Sequence, residues 1–160
     1  MLRATLLPVW TIISMVDNSP GILVDSNFFI ALYSEFDSLH SPALTVSTVL
    51  EKTKQQMIIT NFVFHEIVTI LSQRQNRHLA VETGNALMAH PFIRILFINE
   101  LLHKLTWEIF EGIRKKNMSF ADCANLAVMQ YENIDTILTF DREDFAPLQK
   151  QYRFKLYTTE

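Results

Sequence analysis

Four carboxylates in this chain fall where strands give way to helices. Asp25 closes the apolar run Gly21–Val24, and Asp141 closes the run Thr136–Phe140. Asp122 stands three residues after Ser119, in the first turn of a predicted helix. Glu66 lies about one turn into the helix that follows Met57-Ile58-Ile59. In open α/β sheets, ligands bind outside the carboxyl ends of the strands, and right-handed crossovers bring these four acids to one edge. Two carboxylates about 4 Å apart repel by roughly 4 kcal/mol at an effective dielectric of 20. A native cluster of them must therefore shift its pKa values or hold cations. Hard oxygen donors without Cys or His at ligand spacing favour Mg2+ or Mn2+ over zinc. Such an ion acidifies a bound water and braces the leaving oxygen of a phosphodiester. Taken singly, each acid also has a plain structural use. Asp25 and Asp141 can cap a helix or turn, Glu66 can be a solvated helix acid, and Ser119-x-x-Asp122 approximates a capping box. Their joint placement is what points to chemistry.

The elements that must position these acids are legible as alternating short apolar runs and amphipathic stretches. Strands are predicted at Gly21–Val24, Met57–Ile59, Phe92–Ile98, Thr136–Phe140 and Phe154–Tyr157. Helices are predicted over Ser26 to about Leu39, Ser41 to about Gln56, Phe62 to about Arg74, His78 to about Ala89, Leu101–Lys116 and Phe120 to about Tyr131. Ser41-Pro42 reads as a cap followed by Pro at the first helical position. Strands alternating with helices, each strand a continuous apolar run, indicate an α/β fold around a parallel sheet covered on both faces.

The chain has 160 residues, 49% of them hydrophobic and 19% charged, which suits one globular domain. Only three Gly and five Pro argue against a turn-rich all-β fold. A lone cysteine, Cys123, forms no internal disulfide and fits a cytoplasmic setting. The net charge of -3 does not mark a nucleic-acid binder, so phosphate contact would rest on a local basic patch or on metal. Residues 1–20 read as an N-terminal extension to a domain at 21–160. Ala4–Val16 is too short to span a bilayer, and Asp17–Pro20 offers no signal-peptide cleavage site. Either Met15 is the natural start or the extension packs on the domain.

The four acid-bearing segments resemble, in order, the motifs of the PIN-domain family, and in particular its VapC-like toxin ribonucleases. They are Ile22-Leu23-Val24-Asp25-Ser26-Asn27, Thr60–Glu66, Ser119-Phe120-Ala121-Asp122-Cys123 and Ile137–Phe145. The resemblance spans about residues 21–157. It implies a PIN-like three-layer α/β/α sandwich with about five parallel strands. It implies a metal-dependent endoribonuclease using Mg2+ or Mn2+, with RNA as substrate, a cognate antitoxin as partner and a homodimer as assembly. Asp25, Glu66, Asp122 and Asp141 would be the catalytic, metal-binding acids, supported by Ser26 and Thr139. Family members place the fourth acid where either Asp141 or Asp144 stands, and this sequence has both.

Other signals are weaker. His65 neighbours Glu66 but, one residue on, faces a different side of the helix. Cys123 should be a buried thiol. Arg114-Lys115-Lys116 suits either RNA phosphates or a solvated helix end. An aspartyl phosphotransferase would carry Asp-x-Asp at the first strand, and Asn27 at the third position speaks against it. A DNA-directed or RNA-processing PIN nuclease would share the acids, whereas a non-catalytic binding module should have lost some of them.

Overall fold

Five short strands form one sheet in the order β3-β2-β1-β4-β5, every neighbouring pair parallel. They are β1 (Ile22–Val24), β2 (Met57–Thr60), β3 (Ile93–Leu96), β4 (Thr136–Leu138) and β5 (Lys155–Leu156). The computed structural model describes residues 21–159. The expectations for residues 1–20, Met15 among them, lie outside the described residues.

Parallel neighbours need long crossovers, and helices supply them. Between β1 and β2 come α1 (Ser26–Tyr33) and α2 (His40–Thr53), and between β2 and β3 come α3 (Asn61–Arg74) and α4 (Arg77–Ala89). The return from β3 to β4 runs through α5 (Glu100–Gly112) and α6 (Phe120–Glu132). A short α7 (Arg142–Phe145), a 3-10 turn and α8 (Gln149–Tyr152) lead to β5. Because side chains alternate across a strand, the sheet feeds two cores. Ile22, Val24, Met57, Ile59 and Leu138 pack with Phe28, Leu50, Val63 and Ile67 on one face. Leu23, Ile58 and Ile137 pack with Leu102, Leu126, Phe145 and Phe154 on the other. This is the α/β/α sandwich expected. Leu23 and Ile137 are wholly buried register partners, so truncating either to Ala would cost about 2–5 kcal/mol.

Element ends differ from the sequence reading for identifiable reasons. The first helix stops at Tyr33, not near Leu39, because buried Ser34 turns the chain and accepts a hydrogen bond from Gln75 Nε2 at 2.9 Å. The next helix begins at His40 rather than after a Ser41 cap. Leu39 is its cap residue and offers no side-chain bond, while the His40 ring anchors the start on the Ala31 carbonyl at 2.8 Å. The third strand is shorter than Phe92–Ile98, since the N–H of Ile98 goes to Asn61 Oδ1 at 2.9 Å. The fourth ends at Leu138, two residues before Phe140.

Candidate metal centre at the carboxyl edge of the sheet

The chain runs from β1 outward to β2 and β3, then returns to place β4 on the opposite side of β1. The gap between β1 and β4 is thus the switch point at which open α/β sheets leave a crevice. Asp25 leaves β1 here, its N–H still in the ladder through the Leu138 carbonyl at 2.9 Å.

Asp25 is 4% exposed, so its charge has to be met by polar neighbours. Oδ1 accepts from the Ser26 N–H at 2.8 Å, as the cap of α1, and from Asn125 Nδ2 at 3.3 Å. Oδ2 accepts from the Thr139 hydroxyl at 2.9 Å and Asn27 Nδ2 at 3.0 Å. Burial raises the Asp25 pKa to about 7, with Asp122 and Glu66 adding repulsion against those hydrogen bonds.

Asp122 and Glu66 lie near enough to Asp25 to repel its charge, and Asp141 repels Asp122. Glu66 sits in α3, whose first turn is tied down by Thr60 accepting from the Val63 N–H at 3.1 Å. Its Oε2 accepts from the Ser26 hydroxyl at 2.7 Å. Asp122 forms a full capping box at the start of α6, with Oδ2 accepting from both the N–H and the hydroxyl of Ser119 at 2.8 Å. Burial lifts its pKa; the Ser119 bonds oppose this, and Glu66 and Asp141 push it further up. Asp141 is exposed at the start of α7, and its pKa is raised by partial burial and by neighbouring Asp144. Asp144 bonds Asp141 and also makes an ion pair with Lys115 at 2.6 Å. Lys115 also donates to the Glu143 carbonyl.

These mutual repulsions mark one acidic centre. Among the described residues, no three acidic, imidazole or thiol groups stand together at formed-ligand spacing. The donor set, all carboxylate oxygens carrying repulsion that a cation would relieve, nevertheless fits a hard divalent ion.

Two residues in this network were missed as parts of the site. Asn125 bridges Asp25 to the Thr60 hydroxyl, which donates to its Oδ1 at 3.4 Å. Its signal was position, since it lies one turn beyond Asp122 on the same helix face. Asn27 bonds Asp25 and Thr139, and its Oδ1 accepts from the Phe140 N–H at 3.0 Å. His65 is exposed while Glu66 is half-buried, and both border one cavity with Phe62 and Phe120. Cys123 is fully buried, its pKa pushed up to about 11 by burial and by Asp122. Lys115 serves the acids rather than solvent, whereas Arg114 and Lys116 are exposed.

Fold and acidic edge together define a PIN domain: the chain belongs to that family, which matches residues 22–150. Among solved structures it is similar to VapC20 of Mycobacterium tuberculosis, described as a sarcin–ricin loop cleaving toxin. The two are 26% identical over 79% of this chain and 95% of that one, with a TM-score of 0.69. VapBC2 of Rickettsia felis, solved on a fragment of its promoter DNA, shares the fold at 13% identity, 87% and 98% coverage and a TM-score of 0.62. So does FitAcB of Neisseria gonorrhoeae, at 17%, 86% and 96%, and 0.58. No curated protein matches the chain. Among the described residues, no helix is long and apolar enough to cross a membrane.

Proposed function

We propose that this chain is a metal-dependent endoribonuclease that hydrolyses RNA phosphodiester bonds, and that it is the toxin of a type II toxin–antitoxin pair. The observation that carries the reading is that Asp25 leaves β1 at the β1–β4 switch point with Asp122 and Glu66 near enough to repel its charge, while Asp141 repels Asp122 in turn. Membership of the PIN family and the similarity to a toxin that cleaves the sarcin–ricin loop support it. The antitoxin partner rests on the family resemblance and on a toxin–antitoxin complex from Klebsiella pneumoniae that shares the fold; the homodimer and the cytoplasmic setting rest on the family resemblance and the lone cysteine.

Asp25, Glu66, Asp122 and Asp141 would hold Mg2+ or Mn2+. The ion, when bound, supplies an acidified water and positive charge for the leaving oxygen. The chain's own residues do the rest. Thr139, Asn27 and Asn125 fix both oxygens of Asp25, so the carboxylate meets the strand end in one orientation. Ser26 orients Glu66, and Ser119 orients Asp122. Asp144, paired with Lys115, also bonds Asp141, so the fourth carboxylate would come from this pair.

The test is cleavage of a mixed set of structured RNAs by purified protein with manganese, with chelator, and with Asp25→Asn as control. Discrete products that need both the ion and Asp25 are expected. Cutting of DNA but not RNA would move the reading to a DNA-directed nuclease. No cutting of either, together with harmless strong induction in cells, would leave a binding module.

A further inference from the structure

Beside the acids stands a wall of aromatic rings that the two cores do not use. Phe120, the first residue of α6, has three ring neighbours. Phe62 of α3 lies 6.0 Å away between centroids, and His103 and Phe110 of α5 lie at 5.4 and 5.6 Å. Trp107 extends the group through Phe110 at 6.0 Å. Phe62 and Phe120 are only half-buried, and Trp107 is 49% exposed. Rings left in water at this density mark a contact surface rather than a core.

A cavity of about 530 Å³ opens against this wall. Phe62, Phe120 and Ile70 make its apolar sides, and His65 offers ring nitrogens beside them. Glu66 and Ser119 also line it, so the cavity is continuous with the acidic centre. A phosphodiester held at the acids therefore brings one of its two flanking nucleosides to these rings. Each base has an apolar face that stacks on aromatic side chains, and a polar edge that a group such as His65 can bond. A base still paired in a helix cannot leave its stack to make that contact.

We propose that this cavity receives the nucleobase next to the bond to be cut and stacks it, unpaired, on Phe120 and Phe62. The proposal rests on the ribonuclease reading above. Phe120 and Phe62 are then substrate-binding and specificity residues.

The test is equilibrium binding of a single-stranded RNA heptamer containing 2-aminopurine, in millimolar calcium, to the full chain and to Phe120→Ala, Phe120→Leu and Phe62→Leu. Stacking quenches this base. Wild type should bind with quenching, and Phe120→Ala should bind about tenfold more weakly or worse. The leucine variants keep apolar bulk, so they should stay folded by circular dichroism yet lose the quenching. Quenching that survives in Phe120→Leu and Phe62→Leu, or wild type that binds without quenching or not at all, overturns the proposal. So does a Phe120→Ala variant that quenches normally but loses its dimer by light scattering or escapes a neutralising partner protein, because the rings would then be a protein interface. Cleavage of the same heptamer in manganese separates the two readings. Quenching without cleavage keeps the pocket and removes the nuclease, whereas cleavage without quenching does the reverse.

Discussion

Oδ2 of Asp122 accepts both hydrogen bonds that Ser119 offers, so one carboxylate caps α6 and faces Asp25 and Glu66. The two duties separate by substitution. Asp122→Asn keeps an acceptor for Ser119 and removes a charge that its neighbours repel. It should fold, with a melting temperature close to wild type in chelator, because loss of charge at the helix start costs only about 0.3–1 kcal/mol. Its cleavage rate should fall at least about a hundredfold, roughly 2.7 kcal/mol of transition-state stabilisation. Ser119→Ala should lose about 1 kcal/mol of stability but lose less activity than Asp122→Asn, because the N–H of residue 119 still holds Oδ2 of Asp122. A folded Asp122→Asn that cuts at the normal rate would leave this residue as a cap alone. The acids were legible because carboxylates at strand ends are rare enough to be noticed. Asn125 was not, since a single Asn among Cys123, Ala124, Leu126 and Ala127 reads as a core polar group, and only the fold shows that its amide meets Asp25.

At the scale of elements, the site reshapes the strand that serves it. An apolar run to Phe140 predicts a longer β4, but Thr139 turns its hydroxyl to Asp25 and accepts the Asp141 N–H at 3.0 Å, while Asn27 takes the Phe140 N–H. Periodicity reads side-chain burial and cannot see hydrogen bonds that arrive from a segment more than a hundred residues away. The same limit explains Ser34, whose partner Gln75 caps the end of α3. Order and direction of the elements were legible, since each buried strand is a continuous apolar run and each main helix has a strong amphipathic stretch. Thr139→Val keeps the shape, removes one donor from Asp25 and frees the Asp141 N–H. It should cost about 1–3 kcal/mol in chemical denaturation and lower cleavage, and Thr139→Ser should restore most of both. Equal stability and activity in all three proteins would show that the hydroxyl positions nothing.

Across the whole molecule, the acidic centre links stability to pH and metal. The folded pKa of Asp25 is raised to about 7 from an ordinary 3.8, and those of Asp122 and Asp141 also move up. Folding therefore favours the protonated acids. The Asp25 contribution is complete below about pH 4 and is lost as pH rises through about 7, and those of Asp122 and Asp141 are likewise lost with rising pH. The metal-free protein should melt at a lower temperature at pH 8 than at pH 5, and Asp25→Asn should flatten that slope. Manganese should reverse it, raising the melting temperature more at pH 8, where the carboxylates are ionised. At a hundred times its dissociation constant, an ion adds about 2.7 kcal/mol. A melting temperature that ignores both pH and manganese in wild type would contradict a metal centre built on these acids.

The pairing of β1 with β4 has a consequence in time. Asp25 and Thr139 lie 114 positions apart, and contacts this distant form late because a long loop must close first. During synthesis, β1, β2, β3 and three of the four acids emerge before the strand that completes the crevice. A nascent chain thus carries the pieces of a nuclease without the assembled centre. A fragment ending at Asp135 should gain no thermal stability from manganese and should cut nothing, although it contains Asp25, Glu66 and Asp122. On the proposed reading, activity can begin only when β4 docks beside β1 and brings Thr139 to Asp25.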